Sequence, residues 1–482
     1  MNIKLVLKII SILMFILSIF LIFPTAFALY YNEIHEFKIF LSIIIIVIIV
    51  SSISFFFLKS NKKQILSSKD GFLMVALSWL SASAVGALPF YFTDCIPSFT
   101  NALFETMSGF TTTGASILTD IESIPKSLLF WRSLTHWLGG MGIVVLTVAI
   151  LPVLGIGGLQ LIKAEAPGPS IDKITPRIKE TAKILWLIYL GLTVTETFLL
   201  MIGGLDLFEA LTHTFGTLAT GGFSPNNTSV GFYNSPYIDI IVTVFMMLAG
   251  TNFILHYRMI SGRYKSMLQD AEFKVYIFIF FTATLLIALN LYGFYDTFSE
   301  SLRYAAFQSA SILTTTGFAT ADFEKWPFLA QAILFLLMFI GGCSGSTGGG
   351  IKVIRIYSLL KQGYNEMKYL LHSRAIFILK ISGKTIKKDI MYAISGFFFL
   401  YIFLVLIVTI AVASSGQDII TSLTTALATV GNIGPGFGKI GPAENYAFFP
   451  DYVKWVLCFA MLVGRLELYT ILILFTPIFW RK

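Results

Sequence analysis

A short apolar stretch ending in threonine and glycine recurs along this chain, and each copy lies between apolar runs long enough to cross a bilayer. Ser311-Ile312-Leu313-Thr314-Thr315-Thr316-Gly317 is one copy, flanked by the runs Lys274–Tyr292 and Trp326–Ile340. Thr111-Thr112-Thr113-Gly114, Leu218-Ala219-Thr220-Gly221 and Ala428-Thr429-Val430-Gly431 share its pattern. The glycines at 114, 221, 317 and 431 repeat at a spacing of roughly a hundred residues, so the chain reads as several copies of one unit. A segment of about 10–14 residues is too short to span as a helix, but it can enter the membrane and turn back. Non-helical backbone at that depth is tolerated only where it is buried in protein or lines a water-filled path. Glycine after threonine lets the chain open and aim carbonyl oxygens at one point, as carbonyl filters do for cations.

Start signals precede each copy: Ser98, Asp206 with Glu209 as a capping box, Asp296 and Asp418. Helices starting there end with their partially negative termini toward the glycines, a favourable place for a cation. The chain has 482 residues, of which 56% are hydrophobic and 12% charged, which a soluble protein of that length cannot bury. Three scattered cysteines and five scattered histidines give no CxxC, HExxH or other metal-ligand spacing. The formal charge of +8 gathers in a few loops flanking the membrane, a topology signal and not a nucleic-acid footprint.

The expected architecture is an all-α polytopic membrane protein. Four pseudo-repeats of span, pore helix, filter and span surround one ion pore, and two further spans precede them. The two N-terminal helices occupy residues 1–68, with apolar runs at 4–29 and 39–58. Repeat 1 covers 69–155 with spans near 71–92 and 129–154, followed by a cytoplasmic loop at 156–180. Repeat 2 covers 181–257 (spans 182–203 and 237–257), and a second loop covers 258–273. Repeat 3 covers 274–358 (spans 274–293 and 327–345), with a third loop at 359–388. Repeat 4 covers 389–482 (spans 390–413 and 452–479). That makes about ten crossings. Lys and Arg concentrate in the loops on one side, putting both termini in the cytoplasm and the filter entrances outside.

Two features below the filters carry further chemistry. Gly341-Gly342-Cys343-Ser344-Gly345-Ser346-Thr347-Gly348-Gly349-Gly350 interrupts the last span of repeat 3, where so many glycines cannot hold a helix. It contains GxxxxG, but Ile351-Lys352 stands where a phosphate loop needs Lys-Ser/Thr. It is expected to be a loosely packed, polar loop at membrane depth that obstructs the pore; a plain linker to the cytoplasmic loop is the alternative. Arg465 lies inside the last span, as a charge facing the pore, as a tie between backbone carbonyls, or as both. Glu467 falls on another helix face from Arg465, against a simple pair.

With GNIGPG at 431–436, GGCSGSTGGGIKVIR at 341–355 and GRLELYT at 464–470, the chain resembles the Trk/Ktr/HKT superfamily of potassium transporters. The two extra N-terminal spans make it similar to the Trk-type membrane subunit. The resemblance implies potassium uptake across the plasma (inner) membrane, without enzymatic chemistry and with no covalent cofactor. It implies a selectivity filter at Thr112, Thr113, Gly114, Ala219, Thr220, Gly221, Thr315, Thr316, Gly317, Thr429, Val430, Gly431 and Asn432, binding K+ through backbone carbonyls. It implies a gate made of Gly345, Ser346, Thr347, Gly348, Gly349, Gly350 and Arg465. A homodimer is implied, together with a separate cytosolic regulatory subunit through which a nucleotide acts. Sodium-favouring members often carry Ser at the first filter glycine, so Gly114 points to potassium; a sodium-permeable or cation-coupled relative is the alternative. Proton coupling would call on Glu196, the main carboxylate within a span. An intramembrane hydrolase is disfavoured, since Ser344 and Ser346 have no nearby His and GxSxG is absent. The basic stretch Lys361–Lys388, with Lys384, Lys387 and Lys388, is the expected docking surface for the regulator.

Overall fold

The computed structural model describes residues 1–58, 67–142, 178–372, 374–375 and 377–481. Residues 156–177 of the loop expected at 156–180, and the latter part of the span at 129–154, lie outside these residues. The regular secondary structure of the described residues is helical apart from one two-stranded hairpin, β1 (Lys380–Ile381) with β2 (Lys384–Thr385). The helices in chain order are α1 (Ile3–Phe20), α2 (Ile22–Tyr30), α3 (Ile34–Phe57), α4 (Ser68–Phe92), α5 (Phe99–Phe110) and α6 (Lys126–Gly140). They continue with α7 (Ile178–Ile202), α8 (Leu207–Leu218), α9 (Pro236–Ala249), α10 (Phe253–Ile260), α11 (Tyr264–Gln269) and α12 (Ala271–Asn290). The series ends with α13 (Phe298–Leu313), α14 (Phe328–Leu337), α15 (Val353–Leu371), α16 (Lys388–Ala413), α17 (Ile419–Val430), α18 (Asp451–Arg465), α19 (Leu468–Leu472) and α20 (Pro477–Trp480).

Among the described residues six helical stretches are long and apolar enough to cross a membrane: Ile3–Tyr30, Ile34–Phe57, Ser68–Phe92, Glu180–Ile202, Ala271–Asn290 and Lys388–Ala413. The first two are the N-terminal pair, and each of the other four opens a repeat. Each repeat then places a short helix, α5, α8, α13 or α17, against its opening span. These short helices are buried along most of their length although they are rich in threonine and serine. Many of their threonine hydroxyls turn back onto their own backbone: Thr106 to the Ala102 carbonyl at 2.9 Å, Thr217 to His213 at 2.9 Å and Thr429 to Thr425 at 2.7 Å. A polar side chain that satisfies itself within its helix can be buried without a partner elsewhere. Asp206 and Glu209 form the expected capping box, and Asp418 caps α17. Ser98 stands at the start of α5 without a side-chain bond, and α13 is capped by Thr297 and not by Asp296.

The second spans differ from the continuous helices expected from hydropathy. The helices Pro236–Ala249 and Phe253–Ile260 meet at 100°, and Asp451–Arg465 and Leu468–Phe475 meet at 118°. In repeat 3, α14 stops at Leu337 and helix resumes only at Val353; in repeat 1, α6 stops at Gly140. The breaks coincide with residues that disfavour helix: Gly250-Thr251-Asn252, the glycine run at 341–350, and Glu467 at φ 60°. Gly139 and Gly464 sit at the breaks because a Cβ there would lie 1.9 Å from the Phe110 oxygen and 2.1 Å from the Val430 oxygen. The second helix of each of those repeats thus packs directly on the last carbonyl of its own short helix.

Candidate functional site

The short helices end alike. The residues that follow them make equivalent backbone bonds: Thr113 N to Ser108 O at 2.9 Å, and Gly221 N to Gly216 O, Thr316 N to Ser311 O and Ile433 N to Ala428 O at 2.8 Å each. One residue earlier the chain is left-handed in every repeat, at Thr112 (φ 53°), Thr220 (53°), Thr315 (60°) and Asn432 (53°). One residue later stands a glycine with positive φ: Gly114 (81°), Gly222 (78°), Gly317 (81°) and Gly434 (96°). The register therefore differs from the sequence alignment in two repeats. Gly221 occupies the position of Thr113, and Gly431 is the helix C-cap at φ −81°, equivalent to Thr111, Ala219 and Thr314. Both of these repeats offer two glycines, and matching Thr-Gly selects the earlier one, whereas the backbone requires glycine three residues past the cap. Ala219 likewise caps α8, and Thr429 and Val430 are the last residues of α17.

The four stretches close a ring. A Cβ added to Gly114 would lie 2.2 Å from the Gly221 oxygen, and one on Gly222 would lie 2.1 Å from the Thr316 oxygen. One on Gly317 would lie 2.1 Å from the Ile433 oxygen, and one on Gly434 would lie 2.7 Å from the Thr113 oxygen. Repeat 1 thus meets 2, 2 meets 3, 3 meets 4, and 4 returns to 1, with one carbonyl and no room for a side chain at each junction. Three β-branched threonines held left-handed are strained, as functional backbone often is. Among the described residues no group of three or more His, Cys, Asp or Glu could hold a metal ion, and the atom that meets the glycine at each junction is a backbone carbonyl oxygen.

Behind the ring lies a buried charge pair that the sequence reading passed over. Glu105 of α5 and Arg132 of α6 are 2.7 Å apart and almost wholly inaccessible. Glu105 also accepts from Ser116 Oγ and Ile117 N, both at 2.9 Å; Arg132 donates to the Ser224 carbonyl at 2.9 Å and lies 3.5 Å over the Phe223 ring. His136, one turn on, stacks on Phe223 at 4.0 Å and bonds the Gly109 carbonyl at 2.7 Å. An arginine within an apolar run is a functional signal, and Arg132 carried it. Glu196 is fully buried where α7 packs on α8, near the 3.2 Å contact of Thr197 with Thr214.

The glycine-rich segment runs against the ring and is tied on several sides, contrary to a loosely packed loop. Gly349 N donates to Thr315 Oγ1 at 2.7 Å, and a Cβ on Gly349 would lie 2.4 Å from the Gly431 oxygen. Cys343 N and Thr347 Oγ1 bond the end of α9, at Gly250 O (2.8 Å) and Ala249 O (3.2 Å), while Gly345 O accepts from Phe253 N at 3.0 Å. Glu272 accepts from Ser344 N (2.7 Å) and Ile354 N (3.1 Å), holding both ends of the segment. Ser346 Oγ turns inward to Cys343 O at 2.6 Å, and Lys352 Nζ donates to Gly348 O. Gly350, left-handed at φ 64°, closes the turn. Arg465 donates to Thr347 O at 2.6 Å and to Gly139 O and Gly140 O at 2.6 and 2.9 Å, so it joins the segment to the broken end of α6. Glu467 pairs with Arg355 of α15 and not with Arg465.

Residues 35–482 match the TrkH family, described as a cation transport protein. The chain is 44% identical over 427 residues to the Trk system potassium uptake protein TrkH of Escherichia coli strain K12, covering 87% of this chain and 88% of that one. It is 40% identical over 490 residues to TrkH of Halomonas elongata, covering both chains in full. The crystal structure of the potassium transporter TrkH from Vibrio parahaemolyticus superposes with a TM-score of 0.89 at 38% identity, covering all of both chains. These likenesses run through the spans, the ring and the broken helices alike: the chain belongs to the TrkH family of cation transport proteins.

Proposed function

We propose that this chain is the ion-translocating subunit of a Trk-type potassium uptake system, a transporter and not an enzyme. The closed cycle of four junctions carries the reading. Thr113, Gly221, Thr316 and Ile433 each bring one carbonyl to it, and four short helices end there with partially negative termini. Potassium, the substrate, gives up water to these carbonyls and crosses inward, driven by about 2.3 kcal/mol per charge per 100 mV of membrane potential. The selectivity filter takes in Thr112, Thr113, Gly114, Thr220, Gly221, Thr315, Thr316, Gly317 and Asn432, extended to Gly222, Ile433 and Gly434. Ala219, Thr429, Val430 and Gly431 support it as the helix ends. The gate is the segment Gly345–Gly350 with Arg465, supported by its bonds to the ring through Thr315 and across the pathway to α6.

The protein resides in the inner membrane with both termini cytoplasmic, as the distribution of Lys and Arg indicates, and acts as a homodimer with a separate nucleotide-binding regulatory subunit in the cytosol. The test is potassium flux into vesicles holding the purified chain, with sodium replacing potassium in a parallel run. Potassium flux well above sodium flux is expected, and equal flux of the two would favour the sodium-permeable alternative.

A further inference from the structure

The ring is not fourfold in its side chains. At the left-handed position three repeats carry threonine and the fourth carries Asn432. Thr220 Oγ1 bonds its own neighbour's carbonyl at Ala219 (2.6 Å), Thr315 Oγ1 accepts from Gly349 N, and Thr112 Oγ1 is buried without a partner among the described residues. Asn432 alone of the four reaches an adjacent repeat's filter. Its Nδ2 donates to Thr113 Oγ1 at 2.9 Å and to the Met461 carbonyl at 3.0 Å. A carbonyl can only accept, so the Met461 bond fixes which way the amide points.

The bond to Thr113 continues inward. Thr111 Oγ1 spends its one hydrogen on the Met107 carbonyl at 2.6 Å, so in the 2.8 Å contact between the two threonines Thr113 must donate. The direction is therefore set throughout: Asn432 Nδ2 to Thr113 Oγ1, to Thr111 Oγ1, to Met107 O. Thr316 and Thr314 make the same inner contact in repeat 3 at 2.7 Å, and Gly221 and Ile433 have no hydroxyl to make it. Only at the junction of repeat 4 with repeat 1 does a side chain from the next repeat enter such a chain. That junction joins residues 319 apart in sequence. It is also the more open one, 2.7 Å at Gly434 against 2.1 to 2.2 Å at the other three.

We infer that Asn432 is a specificity-determining positioning residue, a strut that sets the Thr113 carbonyl where the first and last repeats close the filter. This rests on the filter assignment above. Discrimination between potassium and sodium depends on the number and placement of coordinating carbonyls, so freeing one of four lowers it without abolishing conduction.

The test uses the full chain in vesicles and reads the ratio of potassium to sodium permeability. Asn432→Thr installs the residue the other three repeats already carry, and Thr113→Val removes the hydroxyl at constant shape. Each is expected to lower the ratio about three- to tenfold, the equivalent of one net hydrogen bond. The double variant is expected to lose no more than the larger single loss, because both break one chain. Thr113→Ser, which keeps the hydroxyl, is expected to recover most of the ratio that Thr113→Val loses. Gly317→Ser serves as the reference for the filter itself. A changed ratio in Gly317→Ser with an unchanged ratio in both Asn432→Thr and Thr113→Val overturns the strut alone, as does a multiplicative double variant. An unchanged ratio in all of them overturns the filter assignment, and the strut with it.

Discussion

Replacing Arg465 by Ala should raise basal potassium flux. Among the described residues Arg465 donates once to Thr347 O of the glycine-rich segment and twice to α6, at Gly139 O and Gly140 O. Withdrawal of the segment must break the first, while the other two can survive it. A hydrogen bond from a charged donor contributes about 1.5–3 kcal/mol, so its loss favours the withdrawn arrangement by about 10- to 150-fold. The removed charge acts in the same direction, since at an effective dielectric constant of about 20 a cation about 4 Å away is repelled by roughly 4 kcal/mol. Flux should rise by the first factor until the withdrawn arrangement predominates. Arg465→Lys, a single compact charge without the planar fork, should fall between the two. The assay is tracer uptake into vesicles containing the purified chain alone, with elution volume and helical content as folding controls. Flux in folded Arg465→Ala at or below the wild-type value would refute the reasoning, leaving Arg465 as a structural tie only.

Further outcomes follow from the same contacts. Gly431→Ala should leave ion selection unchanged, because Thr111, Ala219 and Thr314 already carry side chains at that cap; Gly434→Ala should degrade it, and equal behaviour of the two in permeability ratios would contradict the register. Glu105→Gln should destabilise the fold by about 3–5 kcal/mol by leaving Arg132 buried and unpaired, measured as a lowered unfolding temperature in detergent. Neutralising Lys384, Lys387 and Lys388 should weaken capture of the cytosolic regulator, more so at low salt than at high; undiminished co-purification would count against that surface.

The architecture was legible because each of its signals is local. Long apolar runs, the Asp206–Glu209 capping box and the Thr-Gly stretches all announce themselves within a few residues. Register was not, because Gly221-Gly222 and the glycines at 431 and 434 present the same letters at two offsets, and only the backbone bonds past each helix end choose between them. The broken second helices were half legible: the glycine run at 341–350 showed one, whereas at Gly250–Asn252 and Leu466–Glu467 hydropathy runs on through the bend. The firm anchoring of the glycine-rich segment was hidden for another reason. Glu272, Thr315 and Arg465 hold it from three different helices or helix ends, and no spacing in sequence records those contacts. The Glu105–Arg132 pair lay in the same blind spot, although a lone arginine in an apolar run was reason enough to look for its partner.

The central claim is that the carbonyls of Thr113, Gly221, Thr316 and Ile433 together bind the transported ion. Crystals of the protein grown with rubidium, a heavier stand-in for potassium with a strong anomalous signal, test it directly. An anomalous peak is expected on the axis between these four carbonyls, weakened in Gly434→Ser. A peak elsewhere along the pathway with none at the ring would contradict it.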